Sequence, residues 1–497
     1  MNHLIIIFLL LTFNFNSALA FEMKIVSEFN WNENLTTEIA VYDNERKLIF
    51  SSNPKYNRID IFKVFDQNMK KIEQINLSKF GSRPNSIDLN SEKVLAVAME
   101  NFNPIKNGNV VFFDKDYDFI FKSEVGVMPD MITFNKLGNQ LISANEGEPN
   151  SMSEYNPVGS LSIVDLGKRV SKTYDMKLFN NNKEIRKIQN GPLAEDLEPE
   201  YLSITHDEKF IFVVNQENNA ISVFDYVNYS FYSIHSLGLK LFEDLKYGID
   251  SNDKDKVANL KKLPIKGLYQ PDGIQTLPNK RTIYEKFRGI YYLATANEGD
   301  SKDYSFFSEE KRISQLKLDE EFYKKFPNID DDVNRLKVSI INADVNNDDL
   351  VDNIFSYGAR SFSVWKFTSG LKFFGISFIK PKLELFYDSG DEFEKILSDK
   401  FPENFNTSFD KKKNELIFDA RSDDKGPEPE TINLIKFKEK IYAIIGLERS
   451  NGFFIYDVTD LKEIKYVKFL PTKLPHYSPE GQFFLKDKFL DKYFFLV

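Results

Sequence analysis

Residues 199–225 read PEYLSITHDEKFIFVVNQENNAISVFD, and this stretch decides the fold. A proline and an acid open a first apolar run, a second run ends in Gln216-Glu217-Asn218, and a third ends in Asp225. The runs are rich in Ile, Val and Phe, and polar turns separate them, which is the pattern of consecutive β-strands. One unit of this kind is therefore strand, turn, strand, turn, strand.

The opening of this unit recurs along the chain. Further copies begin at Pro84-Asn85, Pro129-Asp130, Pro271-Asp272, Pro429-Glu430, Pro479-Glu480 and, without the proline, Thr37-Glu38. In five copies the second run ends in an acid, at Glu100, Glu146, Glu217, Glu298 and Glu448. Units of about 45 residues with this strand content are typical of propeller blades. The sequence therefore predicts an all-β, seven-bladed β-propeller of the YVTN/WD40-like repeat type, with a β-helix or paired β-sandwiches as the alternative.

Three insertions interrupt the predicted blades, and we place them at about residues 170–195, 302–357 and 388–426. The second insertion contains a predicted helix from Ser308 to Phe326, where apolar residues recur among charges. No Ser/Gly-rich linker divides the chain, so residues 21–497 are predicted to form a single propeller domain. The chain ends shortly after Pro479, so either the N-terminal strands between Phe21 and Phe62 complete the last blade or the C-terminus is truncated.

Residues 1–20 have the pattern of a secretory signal peptide. Residues 4–13 read LIIIFLLLTF, and Ala18-Leu19-Ala20 follows as a cleavage site, with a buried N-terminal strand as the alternative. No stretch is long enough to span a bilayer as a helix, so we expect a secreted or cell-surface protein without a transmembrane segment. Sequons that accept N-linked glycans in such proteins occur at Asn34, Asn76, Asn228 and Asn406.

The composition narrows the chemistry that the chain can carry. The 497 residues have a net charge of −10, four histidines and no cysteine. An acidic balance excludes nucleic acid as the main partner, because phosphate backbones are bound by lysine and arginine. Without cysteine there are no disulfides, no thiol catalysis and no cysteine-ligated metal. Carboxylates are therefore the groups that we expect to carry any chemistry.

Several of these carboxylates are predicted to meet at one mouth of the propeller channel. A proline is tolerated at the first residue of a strand, and the residue after it would face the mouth of the channel. These positions are Glu38, Asn85, Asp130, Glu200, Asp272, Glu430 and Glu480. The acids that end the second strands could join the same face. Crowded carboxylates need protons, basic partners or a cation, and calcium takes six to eight oxygen ligands. The alternative is that these acids only cap turns and bind amides between blades.

A second candidate calcium site is the acidic loop at residues 344–352. Oxygen-bearing side chains occupy its positions 1, 3, 5 and 9, namely Asp344, Asn346, Asp348 and Asp352. This is the spacing of an acidic calcium loop. The loop has Asp349 in place of the usual glycine and Phe355 in place of the last glutamate, so it is not a full EF-hand. A solvated acidic loop is the alternative.

Basic residues near the repeats could pair with the acids or hold an anionic ligand. They are Arg360, Arg421, Lys425 and Arg449. Structural ion pairing is the favoured interpretation. The sequence has no nucleophile elbow, P-loop or dinucleotide-binding glycine pattern, so it assigns no catalytic residue.

Long segments of the chain resemble one known family. They are ANEGEPN (144–150), EDLEPEY (195–201), QENNAISVFD (216–225), LPIKGLYQPDGI (263–274), ATANEGDSKDY (294–304), GARSFSVW (358–365), YDSGDEFE (387–394), RSDDKGPEPE (421–430) and GLERSNGFFIYD (446–457). They are similar to the choice-of-anchor I family, which includes mesenchyme-specific cell surface glycoproteins. The resemblance implies an extracellular β-propeller, often displayed at the cell surface. Some relatives are linked to biomineralisation, and some bacterial ones carry phosphatase or phytase labels.

Two functions are consistent with these features. The favoured one is a secreted, calcium-associated propeller of the extracellular matrix or cell surface that binds a protein, a glycan, or a mineral or phosphate ligand. The alternative is a calcium-dependent phosphoesterase at the carboxylate-lined mouth, where bound cations would orient a phosphate and activate water.

Overall fold

The computed structural model describes residues 5–13, 21–30, 39–65, 69–149, 156–278, 282–373, 376–410, 412–472, 483–487 and 492–496. Within these ranges the chain forms seven four-stranded antiparallel sheets. Each sheet is one blade, and six of the seven are built from strands in chain order. The predicted seven-bladed β-propeller is therefore confirmed.

The first four blades are contiguous segments of the chain, and their strands follow from the innermost to the outermost. Blade one comprises Ala40–Asp43, Leu48–Asn53, Arg58–Val64 and Met69–Asn76. Blade two comprises Pro84–Leu89, Leu95–Met99, Asn107–Phe113 and Phe119–Val127. Blade three comprises Pro129–Phe134, Gln140–Asn145, Ser160–Asp165 and Val170–Asp175. Blade four comprises Pro199–Ile204, Phe210–Asn215, Ala220–Asp225 and Ser230–Ser236.

The last three blades depart from this simple order. Blade five carries a long insertion between its second and third strands and comprises Ile274–Thr276, Ile290–Asn297, Ser361–Thr368 and Lys382–Asp388. Blade six comprises Pro429–Phe437, Lys440–Leu447, Gly452–Asp457 and Lys465–Pro471. Blade seven joins both ends of the chain, in the order Phe483–Asp487, Lys492–Leu496, Ile5–Phe13 and Phe21–Asn30.

Blade seven bears on how the ring closes. Its innermost strand, Phe483–Asp487, lies beside the innermost strands of blades one and six. N-terminal strands thus complete the last blade, as one of the two sequence-based alternatives expected. They are Ile5–Phe13 and Phe21–Asn30, so the predicted range from Phe21 to Phe62 is right for Phe21–Asn30 only, and the strands from Ala40 onward belong to blade one. The strand at Ile5–Phe13 falls within the predicted signal peptide, whose cleavage stays a prediction.

The blades pack face to face because their strands are buried on both sides. The second strand of blade four, Phe210–Asn215, is buried along its whole length. Ile211 and Val213 enter a core shared with blade three, whereas Phe212 and Val214 enter a core shared with blade five. Successive side chains of a strand point to opposite faces, so each blade fills two cores. For this reason the run FIFVVN is continuously apolar instead of alternating.

The insertions before and inside blade five fold together as a separate five-stranded mixed sheet. In spatial order its strands are Leu239–Leu241, Ile265–Leu268, Ile354–Ser356, Lys337–Ser339 and Glu310–Arg312. Ile265–Leu268 and Ile354–Ser356 pair in parallel. A core of its own, which includes Ile249 and Val333, holds this unit together.

The helix predicted from Ser308 to Phe326 is wrong over most of its length. Glu310–Arg312 is a strand and Ile313–Gln315 a short 3-10 turn, and only Glu320–Lys325 is helical. The strand forms because it pairs with Lys337–Ser339. The apolar residues in this stretch, such as Ile313, are buried in the core of the insertion. Tertiary pairing here outweighs the local helical pattern.

The remaining elements are short and lie between or beyond the blade strands. The other helices are Leu193–Asp196, Ile283–Arg288, Ile329–Val333 and Glu392–Lys400. Small hairpins are Asp303–Tyr304 with Phe307–Ser308, Leu371–Phe373 with Ile376–Ile379, and Ser408–Asp410 with Glu415–Ile417. Further 3-10 turns are Pro54–Tyr56, Lys177–Phe179, Phe242–Asp244, Pro402–Asn404 and Glu448–Ser450. Among the described residues, no helix combines the length and the apolar character that crossing a membrane requires.

Candidate functional site

The blade geometry brings the two predicted sets of acids to one end of the ring. Pro199 opens the innermost strand of blade four and pairs with Asn215, near the end of the second strand. Glu200 follows the proline, and Glu217 lies two residues beyond the asparagine, so both side chains are at the same edge of the blade. The same pairing joins Pro129 to Asn145 in blade three. We call this edge of the ring the acidic mouth.

The acidic mouth consists of carboxylates from blades three to six. Its described members are Asp130, Glu146, Glu148, Glu198, Glu200, Glu217, Asp272, Glu298, Asp300, Glu428, Glu430 and Glu448. Burial is the main cause that raises the pKa of Glu200 well above its usual range, and the charges of Glu217 and Asp272 add to it. Burial together with the charge of Glu298 does the same for Asp272. The charge of an acid in one blade therefore raises the pKa of an acid in the next blade.

Other predicted members of the ring have different positions. Asn85 links blades two and three, because its Nδ2 donates a hydrogen bond of 3.1 Å to the carbonyl of Pro129. Glu100 lies at the rim and forms an ion pair of 3.1 Å with Arg83. Glu38 and Glu480 lie outside the described residues.

Three carboxylates of the mouth come close enough to share one cation. One oxygen from each of Glu298, Glu430 and Glu448 lies within 4.8 Å of the others. That span is about twice a calcium–oxygen distance, so a single ion between the oxygens would reach all three. In the described part of the chain, no other three acids or histidines converge as closely. The trio combines an inner-strand acid with two second-strand acids.

Next to this trio, several buried carboxylate oxygens have no hydrogen-bond partner among the described residues. They are Oε2 of Glu198, Oε2 of Glu200 and Oε2 of Glu217. The side chain of Glu217 is only 6% exposed. Burial and the charge of Glu198 raise the pKa of Glu217 well above its usual range. A buried carboxylate without a partner is costly, so this part of the mouth favours a proton or a cation.

Basic residues from the insertions balance part of this charge. Lys302 is fully buried, and its Nζ lies 2.7 Å from Oε1 of Glu198, which also accepts a hydrogen bond of 2.8 Å from the hydroxyl of Tyr304. Lys425 lies 2.7 Å from Oε1 of Glu298. Sequence reasoning missed Lys302 and Tyr304. The only available signal was their place in the segment ATANEGDSKDY.

Of the four predicted anion-pairing residues, Arg421, Lys425 and Arg449 meet at Glu428. Arg421 Nη2 lies 2.6 Å and Arg449 Nε 3.1 Å from this carboxylate. Burial opposes ionisation of Glu428, but the charges of Lys425, Arg421 and Arg449 lower its pKa to about 2. The favoured interpretation, structural ion pairing, therefore describes these contacts.

Arg360 does not belong to the mouth. Its guanidinium is buried, lies 2.8 Å from Oε1 of Glu394, and donates to the backbone carbonyls of Asp250, Ser422 and Asp424. These contacts tie the insertions before and after blade five together. The sequence predicted that Arg360 pairs with an acid or holds an anionic ligand, and its ion pair with Glu394 is the first of these alternatives.

The acidic loop at residues 344–352 is organised by its own backbone. The carboxylate of Asp344 accepts N–H hydrogen bonds from Asn347, Asp348 and Asp349 at 2.7, 3.3 and 3.0 Å. Asp352 accepts one from Val345 at 2.7 Å. Backbone amides thus satisfy these two carboxylates without an ion. Asn346 and Asp348 are also exposed, and they bind each other at 3.0 Å. Calcium binding in this loop stays a prediction.

The predicted glycosylation sites differ in their exposure. Asn76 and Asn228 are exposed, whereas Asn34 lies outside the described residues. Asn406 is fully buried, and its Nδ2 donates to Oε1 of Glu394 and to the hydroxyl of Ser422, both at 2.8 Å. The folded protein therefore has no room for a glycan at Asn406, which corrects that prediction.

The asparagine that precedes the second-strand glutamate has a structural role that the sequence did not reveal. Asn145, Asn215 and Asn297 are each fully buried. Their Nδ2 atoms donate to serine hydroxyls on the third strand of the same blade, for example from Asn215 to Ser222 at 2.8 Å. These bonds lock the end of the second strand and so fix where the following glutamate points. The visible signal was an asparagine one or two residues before the glutamate, at Asn145-Glu146, Asn215-Gln216-Glu217 and Asn297-Glu298.

Comparison with known proteins agrees with this architecture. Residues 38–461 match the choice-of-anchor I domain. A shorter stretch is similar to Gigasin-3a of Magallana gigas, with 29% identity over 136 residues that cover 27% of this chain and 43% of that protein. The match thus spans less than half of that relative's length.

Two solved structures are similar to this chain at low sequence identity. Hydrazine synthase of Kuenenia stuttgartiensis is similar with a TM-score of 0.44 and 10% identity, covering 93% of this chain and 96% of that one. The Cps50 (Swd1) β-propeller domain of Myceliophteria thermophila has a TM-score of 0.41 and 8% identity, covering 93% and 98%. These likenesses concern the fold alone, which the seven sheets already establish.

Proposed function

The chain belongs to the choice-of-anchor I domain family, and from that premise we propose that it is an extracellular β-propeller that binds calcium at its acidic mouth. The observation that carries this proposal is the convergence of Glu298, Glu430 and Glu448 within 4.8 Å. Secretion is part of the proposal and rests on the signal-peptide pattern of residues 1–20.

The chemistry of the mouth suits calcium better than other metals. All three converging ligands are carboxylates, and hard oxygen donors are what calcium prefers. Buried oxygens of Glu200 and Glu217 add negative charge close by, and nothing described pairs with them. A divalent cation would relieve this repulsion, which otherwise forces the acids to hold protons.

The cation would also define what the mouth binds. Three protein ligands leave open positions on an ion that takes six to eight oxygens. An anionic oxygen ligand could fill these positions, such as a phosphate or mineral surface, an acidic glycan or a carboxylate of a matrix protein. Binding and not turnover is the proposed outcome, because the basic residues at the mouth form ion pairs with Glu298 and Glu428.

Calorimetric titration and thermal unfolding of metal-free protein test this proposal. We expect saturable calcium binding and a calcium-dependent rise in melting temperature, because a ligand that binds only the folded state stabilises it. Glu430→Gln and Glu448→Gln should weaken calcium binding at least about tenfold, since each removes a charged ligand. Glu92→Gln, an exposed glutamate in a turn of blade two, is the matched control.

The same samples discriminate between the two functions. Phosphomonoester and phytate assays with calcium should show no turnover. Turnover that is lost in Glu430→Gln would make the protein a phosphoesterase. A wild-type protein without any calcium effect would reject the metal site and leave the acids as structural residues.

A further inference from the structure

The face opposite the acidic mouth carries a short helix with unusual exposure. In blade five, the inner strand Ile274–Thr276 leads away from the mouth, and the helix Ile283–Arg288 connects it to the far end of the next strand. That strand, Ile290–Asn297, is eight residues long and ends beside Glu298. At about 3.3 Å per residue, the helix and the mouth are separated by roughly 25 Å. We call this element the tip helix.

The tip helix presents large apolar side chains to solvent. Ile283 is 89% exposed, Phe287 73% and Tyr284 63%. Ile283 and Phe287 are the two most exposed large hydrophobic residues in the described part of the chain. They are four positions apart, so they lie on the same side of the helix. Single exposed apolar residues are ordinary, but a cluster marks an interaction site.

The orientation of the tip helix is fixed by the fold, because hydrogen bonds cap both of its ends. Thr282 and Glu285 form a capping box, in which the Thr282 hydroxyl accepts the N–H of Glu285 at 3.1 Å. At the other end Gly289 adopts φ 58° and accepts the N–H of Ser369 at 2.9 Å. The cap and the glycine hold the helix in place, so its apolar side stays directed outward.

The charges on the tip helix fit an anionic surface. Lys286 and Arg288 flank the apolar side chains, and the guanidinium of Arg288 lies 5.9 Å from the centre of the Tyr284 ring. The only acid of the helix, Glu285, turns back to its N-terminus, where it accepts the N–H of Thr282 at 2.8 Å. The tip is therefore locally basic in a chain whose net charge is −10.

A neighbouring blade adds to the same face. Leu137 is 71% exposed and follows Lys136 in the turn of blade three between the inner and second strands. This turn is equivalent to the one that carries the tip helix. The backbone N–H of Lys136 donates to Glu208 in the corresponding turn of blade four at 2.7 Å. The turns of blades three, four and five thus belong to one ring face, on which the blade-four turn is acidic and the apolar side chains with basic neighbours come from blades three and five.

We propose that this face docks onto a bilayer surface that contains anionic phospholipids, with the tip helix of blade five inserted at the headgroup level. Projecting apolar side chains flanked by lysine and arginine are the features that bind the lipid interface. A projecting tip favours lipid over a protein groove, because headgroups can reorganise around it. The opposite, acidic mouth would then face away from the membrane. This proposal is independent of calcium binding at the mouth.

Vesicle flotation of the full-length chain tests the proposal. Vesicles of phosphatidylcholine with phosphatidylserine should bind the protein, and phosphatidylcholine alone should bind it weakly. The double variant Ile283→Ser/Phe287→Ser should lose at least about tenfold in binding, since buried apolar groups drive insertion. Lys286→Glu and Arg288→Glu should each lose about fivefold, and the loss should shrink at high salt.

Matched controls keep the result interpretable. Phe102→Ser alters a side chain that is 65% exposed but lies near the acidic edge of blade two, and it should bind like wild type. The variants at Ile283, Lys286, Phe287 and Phe102 should unfold at the wild-type temperature, because these side chains are exposed, whereas Arg288 is half-buried and its variant needs its own unfolding curve. Binding should persist in chelator, which separates it from any calcium bridge at the mouth.

Three outcomes would overturn the proposal. They are wild-type protein that ignores anionic vesicles, a double variant that binds as well as wild type, and binding that Phe102→Ser abolishes equally. Analytical sedimentation tests whether a second copy of the chain binds the tip helix instead. If wild type self-associates through the tip helix, and the double variant is monomeric without any change in vesicle binding, the face docks a second copy and not a membrane.

Discussion

The motif Glu-Pro-Glu opens the innermost strand in blade four and again in blade six, at residues 198–200 and 428–430, yet its leading glutamates are in opposite electrostatic situations. Burial raises the pKa of Glu198 although Lys302 and Tyr304 bind it. Burial acts on Glu428 too, but three cations lower its pKa to about 2. The same three residues therefore acquire different chemistry from the insertions that contact them. The blade positions the carboxylate, and the insertion sets its charge.

The largest expected effect comes from removing the cation of blade four. Lys302→Met should destabilise the protein by about 3–5 kcal/mol, because it leaves buried carboxylates without their partner. Lys425→Met should cost less, since Arg421 and Arg449 still neutralise Glu428 and its other partner, Glu298, is less deeply buried than Glu198. Urea unfolding measures both free energies. The exposed Lys168→Met is the control, and equal losses for Lys302 and Lys425 would contradict the comparison.

The same substitution in the two motifs should separate them further. Glu428→Gln should cost about 3 kcal/mol at neutral pH, the equivalent of its lowered pKa, whereas the cost of Glu198→Gln should not follow the pKa of Glu198, because the variant leaves the buried Lys302 ammonium without its partner at 2.7 Å. Stability from Glu428 is complete above about pH 4.5 and is lost as pH falls towards 2, so the Glu428 penalty should shrink there. Denaturant unfolding at several pH values measures this, and a constant penalty would contradict it.

A smaller effect concerns the pH dependence of the acidic mouth without calcium. The pKa of Glu148 is raised to about 7, mainly by burial and then by the charge of Glu198, and that of Glu217 is raised as well. The folded state then holds protons that the unfolded state releases, so these groups lower stability as pH rises above about 4.5. Glu217→Gln should become progressively more stable relative to wild type as pH rises above about 4.5.

Melting curves in chelator and in calcium measure this pH effect. In calcium the gain should become a loss, because the variant then lacks a charge near the ion. If the difference in melting temperature between Glu217→Gln and wild type does not change with pH in chelator, the raised pKa of Glu217 is contradicted.

The smallest expected effect concerns the acidic loop. Asp348→Asn should leave the calcium-dependent rise in melting temperature unchanged, because this loop binds its own amides. Thermal unfolding with and without calcium checks this. A rise that disappears in Asp348→Asn, but persists in Glu430→Gln, would move the calcium site from the mouth to the loop.

The blades were predictable because the relevant pattern is local. Runs such as SLSIVD and AISVFD are strands whose two faces are both buried, and a proline marks each inner strand. The acids at the mouth were predictable for the same reason, since a fixed offset from the proline or the asparagine places them at one edge. Their convergence across blades then depends only on the ring.

The partners of those acids were not predictable, because they are far away in sequence. Lys302 contacts Glu198 from 104 positions along the chain, and no spacing rule relates them. Arg360 shows the same limit, because its partners Glu394, Asp250 and Ser422 are between 34 and 110 positions away in the sequence. The helix predicted from Ser308 is wrong over most of its length for a related reason, because Glu310–Arg312 pairs with the distant strand Lys337–Ser339.

The shared cores between blades have a consequence for how the molecule opens. A strand such as Phe210–Asn215 belongs to two interfaces at once, so the ring resembles a chain of units coupled to their nearest neighbours. Blades two to five each have a partner on both sides, and none of them is a terminal repeat that could fray. Native-state hydrogen exchange should therefore find similar opening free energies for the second strands of these four blades. A destabilising substitution in one interface between blades should therefore reduce the cooperativity of unfolding in the neighbouring blades as well. It should not unfold a single blade on its own.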